Sequence, residues 1–175
     1  MPGDISSKEY LAQTIRVNHA GEYGAKRIYE GQLSVLKHTE SGKIIKHMYE
    51  QELVHLKYFE QQIISRGIRP SILNPFWHIA GFALGAITAK LGEKCAYACT
   101  VAVEEVIDEH YQQQLQYLGD AEPALTAKIA KFRDEELEHK DTAIENFAHH
   151  TPGYFLLSNA IKMGCKLAIF LAKKF

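Results

Sequence analysis

The sequence predicts an all-α protein, a four-helix bundle carrying an additional short apolar helix and a C-terminal amphipathic helix. Long segments repeat their apolar residues with helical periodicity, and no stretch alternates convincingly like a strand. Turn and breaker residues separate these segments. With 175 residues, 46% apolar and 23% charged, the chain 1–175 suits a single domain with a real core.

Taken in order, Ser6 and Glu9 read as a capping box, so a first helix is expected from about Ser7 to His38. "ESGK" reads as the turn before a second helix from about Lys43 to Arg66, ended by Gly67 and the breakers Pro70 and Pro75. Residues Pro70 to Ala89, "PSILNPFWHIAGFALGAITA", contain no Asp, Glu, Lys or Arg. Two prolines, Asn74, His78 and two glycines interrupt the tract, so a short buried or interfacial helix fits better than a membrane span. A fourth helix is expected from about Glu93 to Leu118 and a fifth from about Pro123 to His149, with Pro123 suited to a first turn. "TPGY" breaks the chain again, and the last helix runs from about Tyr154 to the end.

Composition narrows the function classes. A net charge of -1, with no basic stripe before the last helix, gives no electrostatic case for nucleic acid. Three cysteines, Cys95, Cys99 and Cys165, argue against a disulfide framework and for a reducing compartment; packing is the expected role of Cys95 and Cys99. The opening "MPGDISSKEY" resembles neither a signal sequence nor a transit peptide, so no address is expected in this chain, as in a mature or trimmed form.

The chemistry concentrates in "FRDEELEHKD". Glu136 and His139 are i and i+3, so both project from one helix face, and that face also carries Leu125, Ile129, Phe132, Ala143 and Phe147. Asp134, Glu135, Glu138 and Asp141 fall off this stripe and are expected to be solvated. One Glu-x-x-His pair means little, because sixteen glutamates and nine histidines produce roughly one by chance. A second pair, Glu52 and His55, lies mid-helix on the stripe Met48, Phe59, Ile63. Each pair follows a helix with an acid on its own apolar face: Glu22 with Ile15, His19, Tyr29 and Leu33, and Glu104 with Tyr97, Val101, Tyr111 and Leu115. Glu105 rivals Glu104 but has more polar turn neighbours, so Glu104 is preferred. The chain thus reads as two helical hairpins, each with Glu on its first helix and Glu-x-x-His on its second.

Four buried glutamates and two histidines are prohibitively costly as an empty core. Two divalent cations would neutralise the four carboxylates, and oxygen with imidazole nitrogen suits iron or manganese. This is the donor set of ferritin-like di-iron and di-manganese bundles, in which Glu52 and Glu136 would bridge while Glu22 and Glu104 cap.

"RVNHAGEYGAKRIYEGQ", "YEQELVHL", "NPFWHIAGFALGAITAKLG", "ACTVAVEE" and "FRDEELEHKD" resemble the demethoxyubiquinone hydroxylase family over nearly the whole chain. Carried over by position, the resemblance implies Glu22, Glu52, His55, Glu104, Glu136 and His139 as the metal ligands, and it favours Glu104 over Glu105. Asn18 stands where that family commonly has Asp, and the turn between the fourth and fifth helices is shorter than in some relatives. The implied activity is hydroxylation of a polyprenylated demethoxyquinol ring with O2, using two irons per chain and electrons ultimately from NADH. His110 and Tyr111, two turns beyond Glu104, and His19, one turn before Glu22, are candidates for tuning a ligand, with ordinary packing as the competing role.

A polyprenyl tail requires a membrane. Trp77, Phe82 and Leu84, within Trp77–Leu91, and the terminal Tyr154–Phe175 are the expected contact, with Lys162, Lys166 and Lys173 snorkelling from an interfacial helix. The implied location is peripheral: the cytoplasmic face of a bacterial inner membrane, or the matrix face of the mitochondrial inner membrane for a trimmed organellar chain. The same surface would also serve a homo-oligomer or a lipid-delivering partner protein. Two other classes compete, a ferritin-like iron-oxidising or storage protein and a quinone or lipid carrier. Iron stoichiometry separates the three.

Overall fold

A computed structural model describes residues 7–175. Its elements are α1 (Ser7–Leu36), α2 (Glu40–Arg66), α3 (Asn74–Lys90), α4 (Glu93–Leu118), α5 (Pro123–Glu145), a 3-10 turn (Ala148–His150) and α6 (Tyr154–Lys174). Among the described residues no strand occurs, and the predicted all-α bundle is the observed architecture. Ser6, half of the expected capping box, lies outside the described residues.

Two boundaries differ from expectation, each for a local reason. The turn after α1 falls at residues 37–39, not at "ESGK". Thr39 is extended (φ -101°, ψ 168°) and its Oγ1 accepts from the Gly42 amide at 3.1 Å, so "ESGK" becomes the first turn of a capped helix. The fifth helix stops at Glu145 instead of continuing to His149. Phe147 takes a left-handed backbone (φ 65°), which turns its ring out of the inward stripe to 57% exposure. At the end of α2, Gly67 (φ 62°) supplies the left-handed residue of a regular C-terminal cap, and the Ile68 amide donates to the Ile63 carbonyl at 2.9 Å.

α1 with α2 and α4 with α5 form two hairpins, and α3 carries the chain between them while packing along α1 and against α4. α6 returns over α4 and α1. The α1–α3 approach is close because Gly31 of α1 and Gly85 of α3 lie where a side chain would meet the opposing backbone: a carbon added at Gly85 would sit 2.8 Å from the Ile28 carbonyl carbon and 3.0 Å from the Gln32 nitrogen. The interior contains two main apolar clusters. One gathers Ile45, Met48, Ala96, Tyr97 and Val101, and the other Ile15, Phe59, Leu125, Ile129 and Phe132. Along α2 and α5 the acidic and histidine residues fall between them in sequence.

The membrane expectation is redistributed. Lys162 and Lys166 pair with Glu105 and Glu109 of α4, the second at 2.8 Å, and so link α6 to the bundle. Trp77 packs beside Val17 and Ala20, and Leu84 packs in the cluster of Ile28 and Val103. The Phe82 ring lies under the Arg27 guanidinium, 4.9 Å from its centroid. The residues left exposed are Phe76, Ile79 and Ile87 on α3 and Phe155, Leu156, Met163, Leu167 and Phe170 on α6. By length and composition α6 alone among the described helices could cross a membrane.

Candidate metal centre

α1 and α4 contribute one carboxylate each, and α2 and α5 one carboxylate and one imidazole each, because each side chain interrupts its own helix's apolar stripe. Glu22, Glu52, His55, Glu104, Glu136 and His139 are all buried, and the structure brings all six together. They form two overlapping sets, Glu22, Glu52, His55 and Glu136, and Glu52, Glu104, Glu136 and His139; within each, one donor atom per residue lies within 4.8 Å of the others. Glu52 and Glu136 belong to both sets, so two cations held there would share them.

Hydrogen bonding sorts the donor atoms. Tyr111 Oη donates to Glu22 Oε1, and Tyr29 Oη donates to Glu104 Oε1 at 2.8 Å, while Oε2 of each glutamate has no hydrogen-bond partner among the described residues. Both oxygens of Glu52 are likewise without one. His55 Nε2 lies 2.8 Å from Glu135 Oε2 and His139 Nε2 lies 3.0 Å from Gln51 Oε1. Each partner oxygen is an acceptor, so each Nε2 carries the proton and Nδ1 is the atom turned to the centre. His139 Nδ1 is 3.0 Å from Glu136 Oε2 and 3.5 Å from Glu52 Oε1. His55 Nδ1 is 3.0 Å from Glu136 Oε1 and 3.7 Å from Glu22 Oε2. The outward-facing atoms are tied down, and the unpartnered buried oxygens converge. Carboxylate oxygens with imidazole nitrogen, in this number and this burial, fit a pair of divalent first-row cations.

The protein's own groups set the proton distribution. Burial, followed by the charges of Glu136, Glu22 and Glu104, raises Glu52 well above the ordinary carboxylate range. Burial and then Glu136 do the same to Glu104. Burial also opposes ionisation of Glu136, but hydrogen bonds with His139 and His55 outweigh it and hold the group at about 2. Burial disfavours the His55 cation, yet its hydrogen bond with Glu136 and the nearby Glu22 carboxylate push it to about 12. His139 is raised too: burial opposes its cation, and Glu136 overcomes that. Desolvation favours the neutral form of a carboxyl group, whereas an adjacent cation favours the charged one. Of the two shared carboxylates, Glu136 is therefore held as the anion beside two imidazoles whose cations it favours, while burial among like charges favours the neutral form of Glu52.

The other expected residues divide. Glu105 is on the outer face of α4, paired with Lys162. Tyr111 joins the centre through Glu22. His110 does not; burial, and then Lys173, lower it to about 4, and its Nε2 has no hydrogen-bond partner among the described residues. His19 is buried with its Nδ1 in the same condition, and burial lowers its pKa. Asn18 pairs head to head with Gln114, amide to amide at 2.8 and 2.6 Å, joining α1 to α4 one turn before Glu22.

Asp134, Glu138 and Asp141 are exposed as expected, but Glu135 is not a solvated residue. It bonds His55 on one oxygen and Lys131 on the other at 2.6 Å. Glu135, Gln51 and Tyr29 are the site residues that sequence reasoning missed. The signal was the internal repeat: Gln51 and Glu135 each precede the glutamate of a Glu-x-x-His pair, and Tyr29 and Tyr111 each follow a capping-helix glutamate by seven residues.

A family model described as ubiquinone biosynthesis protein COQ7 matches residues 9–172. The chain is 50% identical over 175 residues to the 3-demethoxyubiquinol 3-hydroxylase of Rhodospirillum rubrum, covering 99% of this chain and 82% of that protein. It is 46% identical to the NADPH-dependent 3-demethoxyubiquinone 3-hydroxylase, mitochondrial, of Homo sapiens, over 98% of this chain and 81% of the relative. The 5-demethoxyubiquinone hydroxylase, mitochondrial, of Saccharomyces cerevisiae is 40% identical, over 94% of this chain and 78% of the relative.

Proposed function

Because the chain belongs to the COQ7 family of ubiquinone biosynthesis proteins, we propose that it is a di-iron monooxygenase that hydroxylates the ring of a polyprenylated demethoxyubiquinone or its quinol with O2. The observation that carries this reading is the pair of four-donor sets sharing Glu52 and Glu136. Glu22, Glu52 and His55 with Glu136 would hold one iron, and Glu104, Glu136 and His139 with Glu52 the other. The irons, when bound, supply the activation of O2.

The protein's part is positioning and exclusion. Tyr29 and Tyr111 each fix one oxygen of a capping carboxylate and leave the other for the metal. Phe132 stacks on His55 with ring centroids 4.0 Å apart, and with Phe59, Ile129 and Ile15 keeps water from that side of the centre. The exposed apolar residues of α3 and α6 would rest on the membrane that holds the polyprenyl tail, which makes the protein peripheral. That membrane is the bacterial inner membrane at its cytoplasmic face or the mitochondrial inner membrane at its matrix face. Electrons come from a reduced nicotinamide nucleotide: NADH is the sequence expectation, and the names of several relatives specify NADPH.

The test is product formation by iron-loaded protein with a short-tailed demethoxyubiquinone and O2, with NADH and NADPH supplied separately, alongside Glu136→Ala. The expected result is about two irons per chain and a hydroxylated quinone that the variant does not make. Many irons per chain without product would assign a storage role instead, and no iron with tight quinone binding a carrier.

A further inference from the structure

The two hairpins repeat their site residues position for position. Glu22 and Tyr29 on α1 correspond to Glu104 and Tyr111 on α4, and Glu52 and His55 on α2 to Glu136 and His139 on α5. The hydrogen bonds repeat as well, since each tyrosine reaches the opposite hairpin's glutamate. In the residue before each bridging glutamate the repeat breaks: it is Gln51 in the first hairpin and Glu135 in the second. Each crosses to the other hairpin's imidazole, Glu135 Oε2 to His55 Nε2 at 2.8 Å and Gln51 Oε1 to His139 Nε2 at 3.0 Å. The two histidines are therefore held by the same geometry but by different chemistry, an anion in one case and a neutral amide in the other.

Resting on the ligand assignment proposed above, we infer that Glu135 and Gln51 are positioning residues that make the two metal positions unequal. The Glu135 carboxylate draws on the Nε2–H of His55 and increases electron density at Nδ1, so His55 is the stronger donor to its cation. Lys131 Nζ, 2.6 Å from Glu135 Oε1, holds that carboxylate in place from the surface. Gln51 fixes the orientation of His139 without adding charge, so the Glu104–His139 position binds more weakly. The first cation enters beside Glu22 and His55.

Anaerobic titration of the full chain with iron-57(II), followed by Mössbauer spectroscopy, tests this. The wild type is expected to show one quadrupole doublet at up to one equivalent and a distinct second doublet thereafter. Glu135→Gln makes both histidines amide-bonded; it should weaken the first step by about 10–100-fold and bring the doublets together. Gln51→Glu makes both carboxylate-bonded and should strengthen the second step, again bringing the doublets together. Two irons per chain with two doublets that neither substitution moves would overturn the inference and leave the di-iron reading standing. A wild type that takes up no iron would overturn both. If Glu135→Gln fails to fold, Gln51→Glu decides alone, through whether it shifts the second doublet toward the first.

Discussion

Replacing Gly85 by alanine should separate two helices that now touch backbone to backbone. The new carbon would lie 2.8 Å from the Ile28 carbonyl carbon, about 1 Å inside the roughly 3.5–4.0 Å at which carbon atoms rest. The obstacle is backbone, so no rotamer change relieves it, and α3 must lift away from α1 by a comparable distance. Overpacking of this kind costs about 3 kcal/mol at the upper end of its range. The better helix propensity of alanine returns about 1 kcal/mol, leaving a net loss of about 2 kcal/mol. The same substitution at Gly21, on the exposed face of α1 with nothing within 4 Å of the added carbon, keeps only the propensity gain of about 0.5–1 kcal/mol. Urea unfolding followed by circular dichroism separates them. With a slope of about 2 kcal/mol per molar, Gly85→Ala should lower the midpoint by about 1 M and Gly21→Ala should raise it by about 0.3–0.5 M, with slopes unchanged. A Gly85→Ala midpoint at or above that of the wild type would refute the close-contact argument, as would two variants shifting in the same direction.

Two further predictions follow from the site and from the outer surface. Glu52 and Glu104 are raised from 4.5 and His55 from 6.5 to about 12, so the folded chain binds more protons than the unfolded one above those ordinary values. The stability they contribute is complete below about 4.5 for the carboxylates and 6.5 for His55, and is lost as the pH rises through their folded values. Metal-free protein should therefore melt at a lower temperature at a pH of about 8.5 than at about 6, and saturating Mn(II), which needs the deprotonated donors, should reverse the trend; a metal-free melting temperature that rises over that interval would refute the assignment of protons. On α6, Phe155 and Leu156 are 80% and 77% exposed, so the double change to serine should leave the fold intact while reducing cosedimentation with anionic liposomes by about tenfold or more. Unchanged cosedimentation would remove α6 from the membrane contact.

Periodicity and breakers disclose the long helices because those signals are local. The turn after α1 escapes them because capping depends on which hydroxyl meets which amide, and Thr39 outcompetes the more turn-like "ESGK". The end of α5 escapes them because Phe147 accepts a left-handed backbone that its residue type does not advertise. The six donors are legible because a polar residue inside an apolar stripe stands out against its own helix, and because two hairpins repeat it. Glu135, Gln51 and Tyr29 are not, since each acts across the bundle on a residue 75 to 88 positions away. A helical period tells which face a side chain shares, but not the height at which it meets another helix. The lysines of α6 illustrate the same limit: their spacing suits a lipid surface and the Glu105–Glu109 ladder of α4 equally well.

Glu22, Glu52, Glu104 and Glu136 at the middle of the bundle give the chain a dependence on supply. On the di-iron reading, each cation present at a hundred times its dissociation constant stabilises the fold by about 2.7 kcal/mol, a contribution absent when iron is scarce. A chain made under iron starvation must keep Glu52 and Glu104 in the interior by retaining protons, and it opens more often as a result. Proteases sample that opening in proportion to its population, so the lifetime of the protein would follow the availability of its metal without any separate sensor.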